Sequence, residues 1–127
     1  VHSHTEPHQT ENKQDASESV FLTKAIELVE KNLHVPGYSV EQLSRDLCME
    51  RTGLYRKLVA MLDQSPSLFI RNIRLQRAAQ LILEGSLSIT EIAERTGFSS
   101  SSYLSKCFQE MYGCHLSEYA EKMQKST

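Results

Sequence analysis

The chain repeats itself, and a repeat constrains a fold more than any composition does. With Ser39 set against Ser88, Val40 meets Ile89, Leu43 meets Ile92, Ser44 meets Ala93 and Met49 meets Phe98. One extra residue then enters the second copy, and the offset moves from 49 to 50. Beyond it, Leu54 meets Leu104, Arg56 meets Lys106, Leu58 meets Phe108, Met61 meets Met111 and Phe69 meets Tyr119. The apolar positions recur three and four residues apart, the period of an α-helix with one buried face. Two copies of one helical unit must therefore be placed and joined within 127 residues, enough chain for one domain with a real core.

Start and stop signals delimit the helices. Ser19 can cap a helix through about Leu33, along which Phe21, Leu22, Ala25, Ile26, Leu28, Val29 and Leu33 keep the period. Val35-Pro36-Gly37 ends it. Ser39 caps the next helix, and Ser39-x-x-Gln42 is a capping box. Further helices are predicted over about 51–62, 66–83, 89–96, 100–112 and 116–124. Pro66 suits the first turn of the longest one and Gly85 its end. The apolar set of that helix includes Phe69, Ile73, Leu75, Ala78, Leu81 and Leu83, and its charged stripe is Arg71, Arg74 and Arg77. No segment alternates as a strand does. The expected fold class is all-α, with about seven helices arranged as two helix-turn-helix subdomains (about 39–62 and 88–112) joined by a long central helix at about 66–83. Residues 1–18 are polar without an apolar period, which predicts a disordered linker or tail ahead of a domain at 19–127. The chain starts at Val1, so the sequence reads as a piece of a longer protein.

Within each unit the pattern assigns parts. A small residue in the first helix, Ser44 or Ala93, lets the second cross closely. An apolar residue in the turn, Met49 or Phe98, plugs the core; Met49, Met61 and Met111 all read as core. Leu54 and Leu58, or Leu104 and Phe108, anchor the second helix. Arg51, Thr52, Tyr55 and Arg56 are left on one outer face, matched in the second unit by Ser101, Ser102, Ser105 and Lys106. Four serines run from Ser99 to Ser102. Short hydroxyls cap helices and also permit close approach to a polar partner. For Ser99 and Ser100 the capping reading is favoured, with Ser100 kept among the candidate contacts.

Net charge is −2, but it is unevenly spread. Residues 51–77 carry Arg51, Arg56, Lys57, Arg71, Arg74 and Arg77 against Asp63 alone, six cations to one anion, or +5. Fields at a surface decay within about 10 Å in salt, so this local excess outweighs the total for a polyanionic partner. The odd cysteine count (Cys48, Cys107 and Cys114) fits a reducing compartment better than a disulfide framework. Cys107, Cys114 and His115 lack a second ligand arm, and His2, His4 and His8 fall in the polar tail, so no metal or cofactor is expected. An enzyme needs converging titratable groups, and the neighbouring Cys114 and His115 do not supply them. No apolar run reaches the roughly 18–20 residues of a membrane span, so a cytoplasmic protein without membrane contact is expected.

The stretches "SVEQLSRDLCMERTGLYRKLVAMLDQSPSLFIRNIRLQRAAQLIL" and "LSITEIAERTGFSSSSYLSKCFQEMYGCHLSEY" resemble the DNA-binding domain of the AraC/XylS family of bacterial transcription activators. The second resembles the family signature I-x-x-I-A-x-x-x-G-F-x-x-x-x-Y-x-x-x-x-F-x-x-x-x-G-x-x-x-x-x-Y. The resemblance covers about residues 19–122. The "LYRKL", "QSP" and "FIR-x-x-RL-x-x-AA" details are most similar to Bacteroidetes members, including output domains of hybrid two-component sensors. His115-Leu116 departs from the family's usual Thr or Ser followed by Pro. The resemblance implies double-stranded DNA as partner, RNA polymerase as a second one, and a fused sensory or dimerisation domain outside this segment. It places the DNA-binding positions at Arg51, Thr52, Tyr55 and Arg56, and at Ser100, Ser101, Ser102, Ser105 and Lys106. Tyr55 reads equally as a base or phosphate contact and as partial core packing. The stripe Arg71, Arg74 and Arg77 is open between packing, a partner domain and phosphate. A helical protein–protein interaction module is the alternative to a DNA reader.

Overall fold

The computed structural model describes residues 2–126, and side chains from residue 16 to residue 124. Seven helices and no strand are found among the described residues: α1 (His2–Lys31), α2 (Val40–Asp46), α3 (Arg51–Leu62), α4 (Pro66–Glu84), α5 (Ile89–Arg95), α6 (Ser101–Tyr112) and α7 (Leu116–Ser126). One boundary differs from the sequence expectation. The backbone is already helical at His2, so Ser19 lies inside α1 and caps nothing, and the segment read as a disordered tail continues the helix. Composition without an apolar face argues only against burial, and Glu, Gln, Lys and Ala still favour helix. The histidine side chains at positions 2, 4 and 8 lie outside the described residues. Among the described side chains of α1, burial begins at Phe21.

The caps explain why the other helices begin where they do. Ser39 and Ser88 each form a full capping box: the Gln42 N–H donates to Ser39 Oγ, and the Glu91 N–H to Ser88 Oγ at 3.2 Å, while Glu91 Oε1 accepts from the Ser88 N–H at 3.0 Å. Ser65 caps α4 with Pro66 in its first turn. At α7 the unusual His115 does the work of the expected Ser or Thr. Its Nδ1 accepts from the Ser117 N–H at 3.2 Å, and Leu116 is buried behind it.

Two cores form, one per unit. The first gathers Ala25, Val29, Leu33, Tyr38, Leu43, Leu54, Leu58, Phe69, Ile70 and Ile73. The second gathers Leu75, Ala78, Ala79, Leu81, Ile92, Ala93, Phe98, Leu104, Cys107, Phe108 and Leu116. Helix α4 supplies both: its first half ends the first core at Ile73, and its second half opens the other at Leu75. The residue between them is Arg74.

One assigned core position is corrected: Met111 is 39% exposed. Leu83, in the apolar set of α4, is 47% exposed. In α6 the packed face is centred on Leu104 and Phe108 with Cys107 and Tyr112 at its flanks, which turns Met111 outward. Leu83 lies in the last turn of α4.

Candidate nucleic-acid interface

The two turns are built alike. Leu47 and Thr96 donate to the carbonyls four residues back, Met49 and Phe98 to those of Ser44 and Ala93, and Cys48 and Gly97 to those of Arg45 and Glu94. This paired 6→1 and 5→2 bonding is a Schellman motif, which requires a left-handed residue after the helix. Cys48 has φ 57° and Gly97 has φ 80°. Ser44 and Ala93 are both buried, so small side chains stand where the two helices of each unit cross. The extra residue of the second copy is Ser99, which lies in the turn; Ser100 follows as the N-cap of α6, its Oγ accepting from the Tyr103 N–H at 3.1 Å.

These turns aim α3 and α6. Leu54 and Leu58 anchor α3, Leu104 and Phe108 anchor α6, and all four are fully buried. On the opposite face of α3, Arg51, Thr52, Tyr55 and Arg56 are exposed. Tyr55 is 53% exposed, so the packing alternative does not describe it. On α6, Ser102 and Lys106 are exposed, and Ser101 and Ser105 are half-buried. Among the described residues Arg51, Arg56 and Lys106 make no hydrogen bond or ion pair that would hold them back. Ser100 has its oxygen engaged by the cap. The four residues named on each helix thus do share a face.

Not every cation in the basic stretch belongs to that face. The Lys57 ammonium lies 4.6 Å from the centre of the Phe21 ring, a cation–π contact that folds it back onto α1. Arg71 reaches towards Glu110 of α6 at 3.8 Å, and Arg77 donates to Gln80 at 2.8 Å. Arg74, read with them as one stripe, is 5% exposed. It donates to the carbonyls of Leu33, of Val35 at 3.1 Å and of Thr96 at 2.8 Å. Burial lowers its pKa, as desolvation of a cation must, but a guanidinium stays protonated at neutral pH. Phosphate contact by Arg74 is thereby excluded.

Tyr103 is the surface residue that sequence reading passed over. It is 46% exposed in the first turn of α6 and meets Phe98 edge-on, ring centres 5.9 Å apart. With Ser39, Ser67, Arg71 and Ser99 it lines a groove between the two units, on the side where the turn of the second unit approaches α4. In the sequence it stands only as the aromatic of the signature, and nothing local distinguishes an edge contact from burial.

The helix-turn-helix domain family matches residues 43–122. The protein named Histidine kinase P4 of Formosa agariphila is 38% identical over 102 residues, 80% of this chain and 7% of that protein. The HTH-type transcriptional regulator GbdR of Pseudomonas aeruginosa is 36% identical over 92 residues, 72% of this chain and 25% of its own length. The chain thus spans a quarter or less of these two curated relatives. Among solved structures, a transcriptional regulator of Chromobacterium violaceum, described as an AraC-type DNA-binding domain-containing protein, matches with a TM-score of 0.76 at 29% identity, covering 84% of this chain and 95% of that one. The DNA-binding domain of AdpA, solved with a target DNA, shares the fold with a TM-score of 0.72 at 23% identity, covering 83% of this chain and 94% of that one.

Proposed function

The chain belongs to the AraC-type helix-turn-helix family of DNA-binding domains of transcription regulators, and from that premise we propose that it reads DNA bipartitely, with α3 and α6 entering successive major grooves on one face of the duplex. The observation that carries this is the doubled helix face. Two helices at the same place in two copies of one unit turn their N-terminal side chains outward, unpaired, from fully buried anchors. A recognition helix reads base edges from its N-terminal residues. Helix α4, at 19 residues, spans about 28 Å at 1.5 Å per residue. That is commensurate with the ~34 Å between successive major grooves, and a stiff spacer of this length favours DNA bent towards it.

In this reading Arg56 is a bidentate donor to guanine, and Arg51, Thr52 and Tyr55 contact neighbouring bases or phosphates. Ser101, Ser102, Ser105 and Lys106 do the same for the second groove, while Ser100 serves as a cap that places its neighbours. The kinase relative supports a further step: the domain is the cytoplasmic output end of a longer two-component regulator, fused to a sensory or dimerisation region, with RNA polymerase as the downstream partner. No helix among the described residues is long and apolar enough to cross a membrane.

The test is a binding-site selection on random duplex DNA, followed by titration of variants at two salt concentrations. A bidentate base contact is worth about 1–3 kcal/mol, and each neutralised phosphate adds roughly 0.9 to the slope of log K against log salt. Arg56→Ala should weaken binding and relax one base position, and Ser101→Ala with Ser102→Ala should together cost less. A larger loss from the serine pair would make the second unit the main reader. Retention on heparin that does not fall with salt would favour a protein-interaction module instead.

A further inference from the structure

We propose that Arg74 is the positioning residue for bipartite recognition: by pinning the first unit to the second at the seam between their cores, it sets the one spacing of half-sites that α3 and α6 can read together. This rests on the DNA reading above and deepens it.

The two cores share a single helix, and Arg74 occupies the one position of α4 between Ile73 in the first core and Leu75 in the second. Its guanidinium holds the carbonyls of Leu33 and Val35, in the segment that follows α1, and of Thr96, in the turn that aims α6. One planar fork thus fastens backbone from both units at once. Lysine carries no such fork, since its ammonium is a single point of charge. The second unit is shaped to admit this contact. A Cβ on Gly97 would overlap both the Arg74 guanidinium and the Leu33 carbonyl, so the turn closes on the latch only because position 97 is bare. The equivalent turn of the first unit has Cys48, exposed, in the same left-handed conformation. The turn tolerates a side chain at some conformational cost, so it is the seam that makes the bare residue obligatory. Thr96, whose carbonyl accepts a hydrogen bond from Arg74, is itself fully buried and anchored by its Oγ1 donating to Ile92 O at 2.7 Å. A displacement at the seam therefore moves α6 as a body relative to α3.

Half-site spacing reads this rigidity. Inserting one base pair moves the second half-site by about 3.4 Å and about 34°. The experiment uses the 127-residue chain and a duplex from the selection, with base pairs inserted or removed between the half-sites, plus each half-site alone. The wild-type protein should lose about tenfold or more in affinity on a one-base-pair change. Arg74→Lys and Arg74→Met should bind a single half-site within about twofold of wild type, lose about tenfold on the native spacing, and show a flattened spacing profile. A wild-type spacing profile in both variants overturns the proposal. Because these variants can also lose the fold, the wild-type protein supplies a second arm: amide residual dipolar couplings from residues 39–62 and 88–112 should fit one alignment tensor. Two tensors overturn the latch without any variant. A wild-type protein that binds no duplex overturns the DNA reading, whereas binding without spacing dependence overturns the latch alone.

Discussion

Gly97→Ala, set beside Cys48→Gly, puts the seam to a thermodynamic test. Both positions occupy the left-handed site of the same turn motif. An L-residue there costs about 1–2 kcal/mol, and glycine gives back about 0.4–1 kcal/mol through the freedom it keeps in the unfolded chain. At position 48, where the side chain is exposed, these terms nearly cancel, so Cys48→Gly should move stability by no more than about 0.5–1 kcal/mol. At position 97 the new methyl overlaps the Arg74 guanidinium and the Leu33 carbonyl. The carbonyl is backbone and cannot rotate away, and the guanidinium can move only by giving up its bonds to Leu33, Val35 and Thr96. Breaking the partners of a buried charge costs about 3–5 kcal/mol. Added to the net backbone term of about 0–1.5 kcal/mol this reaches about 3–6 kcal/mol, a large fraction of the roughly 5–15 kcal/mol that holds a domain together. Urea unfolding followed by circular dichroism measures both variants. The cycle with Arg74→Met should recover part of the Gly97→Ala loss, since the larger of the two obstructions is gone. A Gly97→Ala cost below about 1 kcal/mol would refute the reasoning, because it would leave only the intrinsic conformational term of the turn.

Leu58→Ala and Phe108→Ala, both at fully buried anchors, should each destabilise by about 2–5 kcal/mol, while Met111→Ala, at an exposed site, should leave the melting midpoint near wild type. Ser88 donates its backbone N–H to Glu91, and this holds the carboxyl below its ordinary value of 4.5. The unfolded chain then binds this proton more readily than the folded one. The capping contribution is therefore present above pH 4.5 and lost as pH falls through the depressed folded value. Acid titration of α5 by amide exchange should show that loss in wild type and not in Glu91→Gln.

Much of this architecture was legible because it is written in local chemistry. Ser39 with Gln42, Pro66 and Gly85 place helix ends through bonds made within a few residues, and the three-and-four apolar spacing names a buried face whatever lies opposite it. The repeat extended this to the anchors: Leu54, Leu58, Leu104 and Phe108 could be assigned because two independent copies agreed. The same logic placed Arg51, Thr52, Tyr55 and Arg56 on one outer face and Ser101, Ser102, Ser105 and Lys106 on its counterpart.

What sequence alone could not separate are residues with the same local surroundings and different distant neighbours. Arg71, Arg74 and Arg77 follow one another at three-residue steps, each turned about 60° from the last on a helix of 3.6 residues per turn. That modest rotation aims the middle one at the seam and leaves Arg71 and Arg77 partly or fully in solvent, but only the approach of Leu33 and Thr96 gives the direction its meaning. Lys57 is withdrawn from the basic surface by a ring on α1, far away in the chain. Met111 and Tyr103 sit at the margins of packed faces, where a few degrees of crossing angle decide burial. Local bonding and helical period thus determined the elements and the face each turns inward. The cores' meeting at Arg74, a matter of which backbone carbonyls come within reach of one guanidinium, was decided by tertiary structure alone.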